Sequence, residues 1–275
     1  MNLPDIDSNV LDAVPASRHL TVELSSLEPR PSRAITKGVL PAAFVWVRSH
    51  EGKAGIPAGR PTPIHITWRT VMNMQYSIVG SGPVGTTLAG LFARTGIDVQ
   101  IANSRGPESV AAITAELGRH VVPVTLEHAL DADVIFLAVG FMQVQSVAAK
   151  LPDWAGKIVV DVTNALQPAE VRETKLGGLL SSEINADFVS GAKLVKAFNH
   201  LPVRQLGTNP PASGQRQVVF VSSNDPDAST TIAALVARLG FAPVELGRLD
   251  QGGAALHVPD GKQGGLLFQN LVKLD

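Results

Sequence analysis

From residue 74 onward, short apolar runs alternate with segments whose apolar positions recur every three or four residues. The apolar runs lie at 75–79, 97–102, 120–124, 133–139, 157–162, 193–198, 217–223 and 241–246. Several contain continuous apolar stretches, such as 134–139 and 158–160, which is typical of strands in a parallel sheet that is covered on both faces. The helical period is clearest over 226–239, where Asp225 offers an N-cap and Pro226 takes the first helical position. This alternation predicts an α/β fold with a doubly wound, mostly parallel sheet and right-handed crossovers.

Residues 1–73 differ from the remainder in composition. They hold 8 of the 19 prolines and no sustained period of either a helix or a strand, apart from one apolar burst at 42–47. We therefore interpret 1–73 as a poorly ordered N-terminal extension and 74–275 as a single domain. Because Met72 and Met74 directly precede the first strand, a second interpretation is that 1–73 is upstream sequence read in frame. The intact mass of protein made from the native transcript distinguishes the two.

The composition excludes several classes of function. The net charge is −1, so no global basic field attracts nucleic acid or an anionic membrane. The chain has no cysteine, which excludes disulfides, iron–sulfur clusters and thiolate zinc sites, and its histidines show no metal-ligand spacing. No apolar run approaches the roughly 18 residues of a membrane span. We expect a cytoplasmic protein without a metal that acts on a small molecule.

A glycine-rich turn stands between the strand at 75–79 and the helix that follows it. The turn matches G-x-G-x-x-G, in which the first glycine permits a tight turn, the second lets the backbone approach a pyrophosphate and the third lets the helix pack on the strand. The helix N-terminus adds free N–H groups and a positive dipole end. The sequence therefore predicts a dinucleotide at Gly80, Ser81, Gly82, Pro83, Val84 and Gly85.

The second strand ends at Asn103, Ser104 and Arg105, where NAD-binding chains carry an acid for the ribose 2′-hydroxyl. A serine hydroxyl and an arginine fork suit a 2′-phosphate instead, so the cofactor is predicted to be NADP. The alternatives are that the arginine is an ordinary surface residue and that the serine caps the next helix.

Four further loops, which begin at 140, 163, 199 and 247, are expected to surround the nicotinamide. The amides of Asn164 and Asn199 are candidates for orienting a carboxamide or an acceptor ring. His200 is a candidate hydrogen-bond donor to a reduced ring, with a packed or surface histidine as the alternative. Further predicted cofactor contacts are Ala138, Val139, Asn164 and Ala197. The only tyrosine, Tyr76, lies in the first strand, so the Tyr-x-x-x-Lys pair of short-chain dehydrogenases is absent.

The sequence resembles the NADPH-dependent coenzyme F420 reductase family, the F420H2:NADP oxidoreductases. The matching segments are collinear and lie at 78–85, 103–109, 133–139, 156–164, 195–202 and 240–247. The resemblance implies a Rossmann-type domain, a homodimer, and a 2′-phosphate on Ser104 and Arg105. It also implies a deazaflavin over the nicotinamide near Asn164 and 197–202, with hydride transfer between nicotinamide C4 and deazaflavin C5.

The chain departs from this family at two places. Gly140 precedes Phe141 where the family often has proline, and the short segment 261–275 resembles a bacterial branch whose members need not use F420. A flavin, a quinone or another small electrophile is therefore open as the acceptor. We predict an NADPH-dependent oxidoreductase that transfers a hydride to a planar ring such as coenzyme F420 or a flavin. Two alternatives stay open: a redox-sensing NADP(H)-binding module with little turnover, and a reductase of a small carbonyl or imine.

Overall fold

The computed structural model describes residues 74–165, 176, 178–208 and 216–256, together with two short strands nearer the N-terminus. These are β1 (Val22–Glu23) and β2 (Trp46–Val47), which pair antiparallel. Apart from β1 and β2, the interpretations of residues 1–73 as a poorly ordered or upstream segment, and of 261–275 as a family departure, fall on residues outside the described part. They stay predictions.

Eight strands form one sheet in the order β10-β9-β8-β7-β6-β3-β4-β5. They are β3 (Tyr76–Val79), β4 (Val99–Ala102), β5 (Val121–Pro123), β6 (Val134–Leu137), β7 (Ile158–Asp161), β8 (Lys193–Ala197), β9 (Val218–Ser223) and β10 (Ala242–Glu245). Each of the eight apolar runs contains one of these strands. The prediction of a Rossmann-type, doubly wound and mostly parallel sheet is confirmed.

The helix predicted over 226–239 is found at Pro226–Arg238, and the helix expected after the glycine turn begins at Pro83. The helices are α1 (Pro83–Thr95), α2 (Ala111–Leu117), α3 (Leu126–Leu130), α4 (Val144–Ala148), α5 (Ser181–Phe188), α6 (Val203–Leu206) and α7 (Pro226–Arg238), with 3-10 turns at Pro107–Val110, Phe141–Gln143 and Gly252–Leu256. The Asp225 carboxylate accepts a hydrogen bond from the Ala228 N–H at 2.8 Å, so α7 has the cap predicted for it. No helix in the described ranges has both the length and the apolarity to cross a membrane.

Alternate residues of the strands pack on opposite faces of the sheet, which gives the fold two apolar cores. In β6, for example, Phe136 belongs to one core, and Ile135 and Leu137 belong to the other. The first core contains a row of aromatic rings whose centroids lie 5.5 to 6.1 Å apart, formed by Tyr76, Phe92, Phe136, Phe198 and Phe241. These rings tie the strands rigidly together, so the loops at the edge of the sheet have a fixed base.

Strand direction decides which loops can form a site. Strands β3 to β8 are parallel and have the order of a dinucleotide-binding fold, with the change of winding direction between β3 and β6. β9 is antiparallel to β8, and β10 is parallel to β9, so the last two strands run in the reverse direction. The carboxyl ends of β3 to β8 therefore share one edge, called here the carboxyl edge.

The loop at 247–253, which was expected to surround the nicotinamide, first runs away from the carboxyl edge, and its contact with a cofactor stays a prediction. Because β10 is reversed, the chain leaves it running away from the carboxyl edge, and the Ser223 N–H, beside Val195 in the middle of β8, donates to the Gly247 carbonyl at 2.9 Å. The chain then returns along the sheet, and Gly253 packs against Ser222 of β9. Only its continuation reaches the carboxyl edge, where the Leu256 carbonyl accepts a hydrogen bond from Asn199.

Candidate functional site

The three glycines of the turn after β3 differ in backbone conformation and in the space available for a side chain. Gly80 has φ of +116°, and a Cβ there would run into the Ala138 carbonyl. A Cβ on Gly85 would run into the Gly80 carbonyl. A Cβ on Gly82 would meet no atom within 4 Å, and its φ of −75° suits any residue. The protein alone explains the first and third glycines, whereas the open space at Gly82 fits a ligand that approaches the backbone there.

The turn after β4 is held by the side chain of Asn103. Its amide nitrogen donates to the Ser81 hydroxyl at 2.7 Å and to the Ser109 hydroxyl at 2.8 Å, and its oxygen accepts from the Arg105 N–H at 2.8 Å. Asn103 thus joins the glycine turn to the predicted 2′-phosphate site. Ser109 was not predicted as a site residue, since nothing in the local pattern shows that it folds back onto Asn103.

The side chains of Ser104 and Arg105 are exposed at this turn. The next helical turn, Pro107–Val110, starts at Gly106 with no side-chain cap, so the alternative that Ser104 caps it is not supported. Within the described residues, the Arg105 guanidinium makes no hydrogen bond or ion pair. It is free to bind a phosphate beside the serine hydroxyl.

The Arg105→Ala variant is expected to bind NADPH at least about tenfold more weakly and to bind NADH as the wild type does. A charged hydrogen bond contributes about 1.5–3 kcal/mol, and only NADPH carries the 2′-phosphate that would receive it. Isothermal titration with both cofactors measures the effect. Arg119→Ala, which removes another exposed arginine, is the matched control and should change neither affinity. Equal losses for NADPH and NADH would refute the role of Arg105.

At the carboxyl ends of β7 and β8, two amide side chains bind each other. The Asn164 Nδ2 donates to the Asn199 backbone carbonyl at 2.8 Å, and the Asn199 Nδ2 donates to the Asn164 Oδ1 at 2.9 Å. The Asn199 Nδ2 also donates to the Leu256 carbonyl at 2.8 Å. Because that carbonyl can only accept, it fixes which end of the Asn199 amide is the nitrogen.

The oxygen of the Asn199 amide is buried and has no hydrogen-bond partner among the described residues. An unpaired buried acceptor is costly, and native structures seldom retain one without a reason. Both amide protons are already engaged, so Asn199 can offer a ligand only this oxygen. The group that it recognises must therefore be an N–H or O–H donor.

Phe198 turns the chain toward this site immediately after β8. It is buried, its ring lies in the row of core aromatics, and its φ of +63° is in the left-handed region that side chains other than glycine rarely adopt. Such strain persists only where the surroundings enforce it, and it concentrates at functional sites. Here the core holds the ring while the backbone reverses, which sets the direction of Asn199.

His200 packs into the protein between β8 and β9. Its ring centroid lies 5.1 Å from that of Phe220, and its Nε2 lies 3.4 Å from the Val218 carbonyl. Burial lowers the pKa of His200 to about 4, although the Val218 carbonyl partly opposes this effect. The ring is therefore neutral near pH 7, with its proton on Nε2 and directed to Val218. This geometry favours the alternative of a packed histidine, and contact between His200 and a reduced ring stays a prediction.

Acidification is expected to destabilise the protein through His200. The folded-state pKa of about 4 lies below the usual value of 6.5, so the unfolded chain binds more protons between these values. The contribution of His200 to the free energy of unfolding is fully present above pH 6.5, and it decreases as the pH drops toward 4. The loss between pH 7 and 5 is about 2 kcal/mol. Urea unfolding at both values measures it, and His200→Gln should remove that part of the pH dependence. An unchanged slope would contradict the assignment to His200.

Two buried charges that were not predicted from the sequence lie beneath the amide pair. Asp161 ends β7 and Lys196 lies in β8, and their side chains are 0% and 3% exposed. A charged residue inside an otherwise apolar run was the available signal, at 157–162 and at 193–198. The pairing depends on the register of two strands, which the sequence does not show.

The remaining predicted site residues are also at the carboxyl edge. Pro83 and Val84 begin α1, Ala138 and Val139 follow β6, and Ala197 ends β8. The structure therefore brings all the predicted cofactor residues to one edge, in an order that runs from Arg105 after β4 to Asn199 after β8. Contact between these residues and a cofactor stays a prediction. No group of three or more histidine and acidic side chains in the described ranges is placed to hold a metal ion.

The chain is similar to a known protein family and to proteins of known structure. Residues 75–165 match the family described as NADP oxidoreductase, coenzyme F420-dependent. A hypothetical protein from Sinorhizobium meliloti is 40% identical with a TM-score of 0.65, and the match covers 73% of this chain and 94% of that one. A candidate F420-dependent NADP-reductase from Arthrobacter sp. FB24 is 27% identical with a TM-score of 0.55, covering 66% and 90%.

The chain also matches larger curated proteins. It is 28% identical to metalloreductase STEAP3 of Rattus norvegicus over 175 residues, which is 64% of this chain and 34% of the relative. The chain thus spans about a third of the length of the curated relatives that it matches.

Proposed function

The chain belongs to the family of coenzyme F420-dependent NADP oxidoreductases, and from this membership we propose that it transfers a hydride between NADP(H) and a planar ring acceptor such as coenzyme F420 or a flavin. The oxidoreductase class and the use of NADP(H) follow from the family. The ring acceptor and the roles of individual residues are our proposal. The observation that carries it is the amide pair, with its unpartnered acceptor oxygen on Asn199.

The residues at the carboxyl edge fit an extended dinucleotide. The space beside Gly82 admits a pyrophosphate, and the N-terminus of α1 directs free N–H groups toward it. With Arg105 at the end of β4 taking the 2′-phosphate, the other end of the cofactor extends toward β7 and β8. When bound, NADPH supplies a hydride from C4 of its reduced nicotinamide.

Asn199 is suited to bind the nicotinamide carboxamide. That group has two N–H donors, and the Asn199 oxygen can only accept. The oxygen is shielded from solvent, so binding requires a displacement of its surroundings. Leu256 contacts Asn199 through its carbonyl and is the neighbour from the end of the described chain. A fixed carboxamide fixes which face of the nicotinamide meets the acceptor.

The side chains near the amide pair favour a ring acceptor over a carbonyl. Reduction of a carbonyl to an alcohol usually needs a positioned acid at the oxygen. In the described part of this edge, the nearby candidates are otherwise engaged: Asp161 is bound to Lys196, and His200 directs its proton to Val218. A conjugated ring spreads the added charge over several atoms, so a hydride can reach its carbon without an acid at that carbon.

Turnover with the full chain tests the proposed acceptor. NADPH oxidation is followed at 340 nm with F420, with FMN and without an acceptor. Oxidation that depends on either ring is the expected result, and the faster ring identifies the acceptor class. If NADPH binds but neither ring is reduced, the ring acceptor is refuted and the redox-sensing module becomes the better interpretation.

A cofactor analogue tests the carboxamide contact directly. The 3-acetylpyridine analogue of NADPH has a methyl group in place of the carboxamide nitrogen, so it cannot donate to Asn199. The wild type is expected to bind this analogue about tenfold more weakly than NADPH, since the buried oxygen stays unpaired. Asn199→Ala should weaken NADPH to about the affinity of the analogue, leave the analogue nearly unchanged, and so bring the ratio of their dissociation constants close to one. If Asn199→Ala and the wild type show the same ratio of the two dissociation constants, Asn199 does not bind the carboxamide.

A further inference from the structure

The buried ion pair of Asp161 and Lys196 joins β7 to β8 directly below the carboxyl edge. The two residues are paired in register, and the Lys196 Nζ lies 2.9 Å from the Asp161 Oδ2. Both side chains are almost completely shielded from water. Burying two charges costs desolvation energy, and replacing such a pair with apolar residues is often neutral or stabilising. Stability alone is therefore a weak explanation for this pair.

The contacts of the pair converge on one residue, Thr163. The Thr163 N–H donates to the Asp161 Oδ1 at 2.8 Å, and the Thr163 carbonyl accepts from the Lys196 Nζ at 2.5 Å. The Asn185 Nδ2 in α5 donates to the Asp161 Oδ2 at 3.0 Å and to the Thr163 hydroxyl at 3.2 Å. Both backbone polar groups and the side chain of Thr163 are thus held by buried partners.

Thr163 immediately precedes Asn164, and Lys196 lies three residues before Asn199. The ion pair therefore fixes the bases of both loops that carry the amide pair. Each amide depends on the other for its orientation, because Asn164 donates to the Asn199 backbone and Asn199 donates to the Asn164 side chain. A shift of the Thr163 backbone would move Asn164 and with it the direction of the Asn199 oxygen.

We propose that Asp161 and Lys196 are positioning residues, which fix the Thr163 backbone so that the Asn164–Asn199 amide pair presents one oriented acceptor to the nicotinamide. This inference rests on the proposed function for the ligand, but not for the mechanical link from the ion pair to the amide pair. The two residues touch neither cofactor nor substrate. Their effect should therefore appear at the nicotinamide end of the cofactor and not at the adenosine end.

The test compares NADPH with 2′-phospho-ADP-ribose, which has the adenosine, pyrophosphate and 2′-phosphate groups but lacks the nicotinamide. Titrations use the full-length wild type, Lys196→Met, and the charge-balanced double variant Asp161→Asn with Lys196→Met. Both variants are expected to bind 2′-phospho-ADP-ribose within about twofold of the wild type and NADPH at least about fivefold more weakly. If Lys196→Met does not fold, the double variant carries the comparison.

A matched control separates positioning from general loss of stability. Ser223→Ala removes the buried Ser223 hydroxyl, which donates to the Leu194 carbonyl near the start of β8 at 2.7 Å and accepts from the Asp225 N–H at 3.1 Å. This control should leave the affinities for both ligands unchanged. Equal weakening of both ligands by the Lys196 variants would overturn the proposal and assign the pair a structural role. Unchanged affinity for both ligands would overturn it as well.

Hydrogen exchange in the absence of ligand provides a readout that does not depend on the proposed function. In the folded double variant, peptides covering 161–165 and 197–201 should exchange at least about tenfold faster, while those covering β3 and β4 keep their wild-type rates. Unchanged exchange at both loops would refute the mechanical link. The two proposals can also be separated. If exchange at both loops is faster in the double variant but the wild type binds NADPH no more tightly than 2′-phospho-ADP-ribose, the proposed function fails while the mechanical link stands.

Discussion

Replacing Gly80 with alanine is expected to lower the free energy of unfolding by more than about 4 kcal/mol, which leaves little or no folded protein. The new methyl group would run into the Ala138 carbonyl, which is part of the backbone and cannot rotate away. The φ of +116° adds strain of its own for any residue with a Cβ. Gly85→Ala should have a similar effect because its methyl group would run into the Gly80 carbonyl.

Gly82→Ala is expected to weaken NADPH binding without destabilising the fold. Its backbone conformation suits alanine and no atom lies within 4 Å of the new methyl group, so stability should be unchanged or slightly higher. NADPH affinity should nevertheless fall at least about tenfold, since the methyl group occupies the space through which a pyrophosphate approaches the backbone. Thermal unfolding and calorimetric titration of the same preparations separate the two effects.

Gly118→Ala serves as the control for backbone strain. Gly118 follows α2 with φ of +87°, but a Cβ there would meet no atom within 4 Å. Its substitution should cost about 1–2 kcal/mol of stability without a change in NADPH affinity. If Gly82→Ala binds NADPH as tightly as the wild type, the pyrophosphate does not approach the chain at that glycine.

The glycine turn could be predicted from the sequence because its geometry is local. The strand before it, the helix after it and the spacing of Gly80, Gly82 and Gly85 all lie within a few residues of one another. The eight strands could be predicted for a related reason. A strand that is buried on both faces is largely apolar along its length, whatever its neighbours are.

The direction of the last two strands could not be read from their apolar runs, which look the same in either orientation. One signal was available in the connections. A parallel partner requires a crossover to the far edge of the sheet, which usually contains a helix. The segment before β10 contains α7 of 13 residues, whereas the described part of the segment before β9 contains only α6 of 4 residues. This difference agrees with a β9 that starts beside the end of β8 and runs back.

The arrangement within the site depends on contacts between distant parts of the sequence. Asn164 and Asn199 were predicted as separate amides, but their mutual hydrogen bonds join residues 35 positions apart. The bond from Asn199 to Leu256 spans 57 positions. Such contacts follow from strand register and from the return of the chain over β9, which no local pattern encodes.

Lys196→Met is expected to lower the free energy of unfolding by about 3–5 kcal/mol, because it leaves the Asp161 carboxylate buried without its partner charge. The Thr163 carbonyl also loses its donor from Lys196. Urea unfolding followed by circular dichroism measures the loss. Ser223→Ala, which removes the hydrogen bond from the hydroxyl to the Leu194 carbonyl and the one that it accepts from the Asp225 N–H, should cost only about 1–2 kcal/mol.

Adding Asp161→Asn to Lys196→Met is expected to restore most of the lost stability. An asparagine at 161 can still accept from the Thr163 N–H, and the buried charge is gone. The Asn185 amide can rotate so that its oxygen, which has no partner among the described residues, accepts from the new amide. A double variant no more stable than Lys196→Met would show that the loss comes from packing and not from the unpaired charge. The double variant can instead regain stability and still bind NADPH weakly. That result would show that the fold tolerates two neutral residues at 161 and 196, whereas the nicotinamide site needs the ion pair for its positioning.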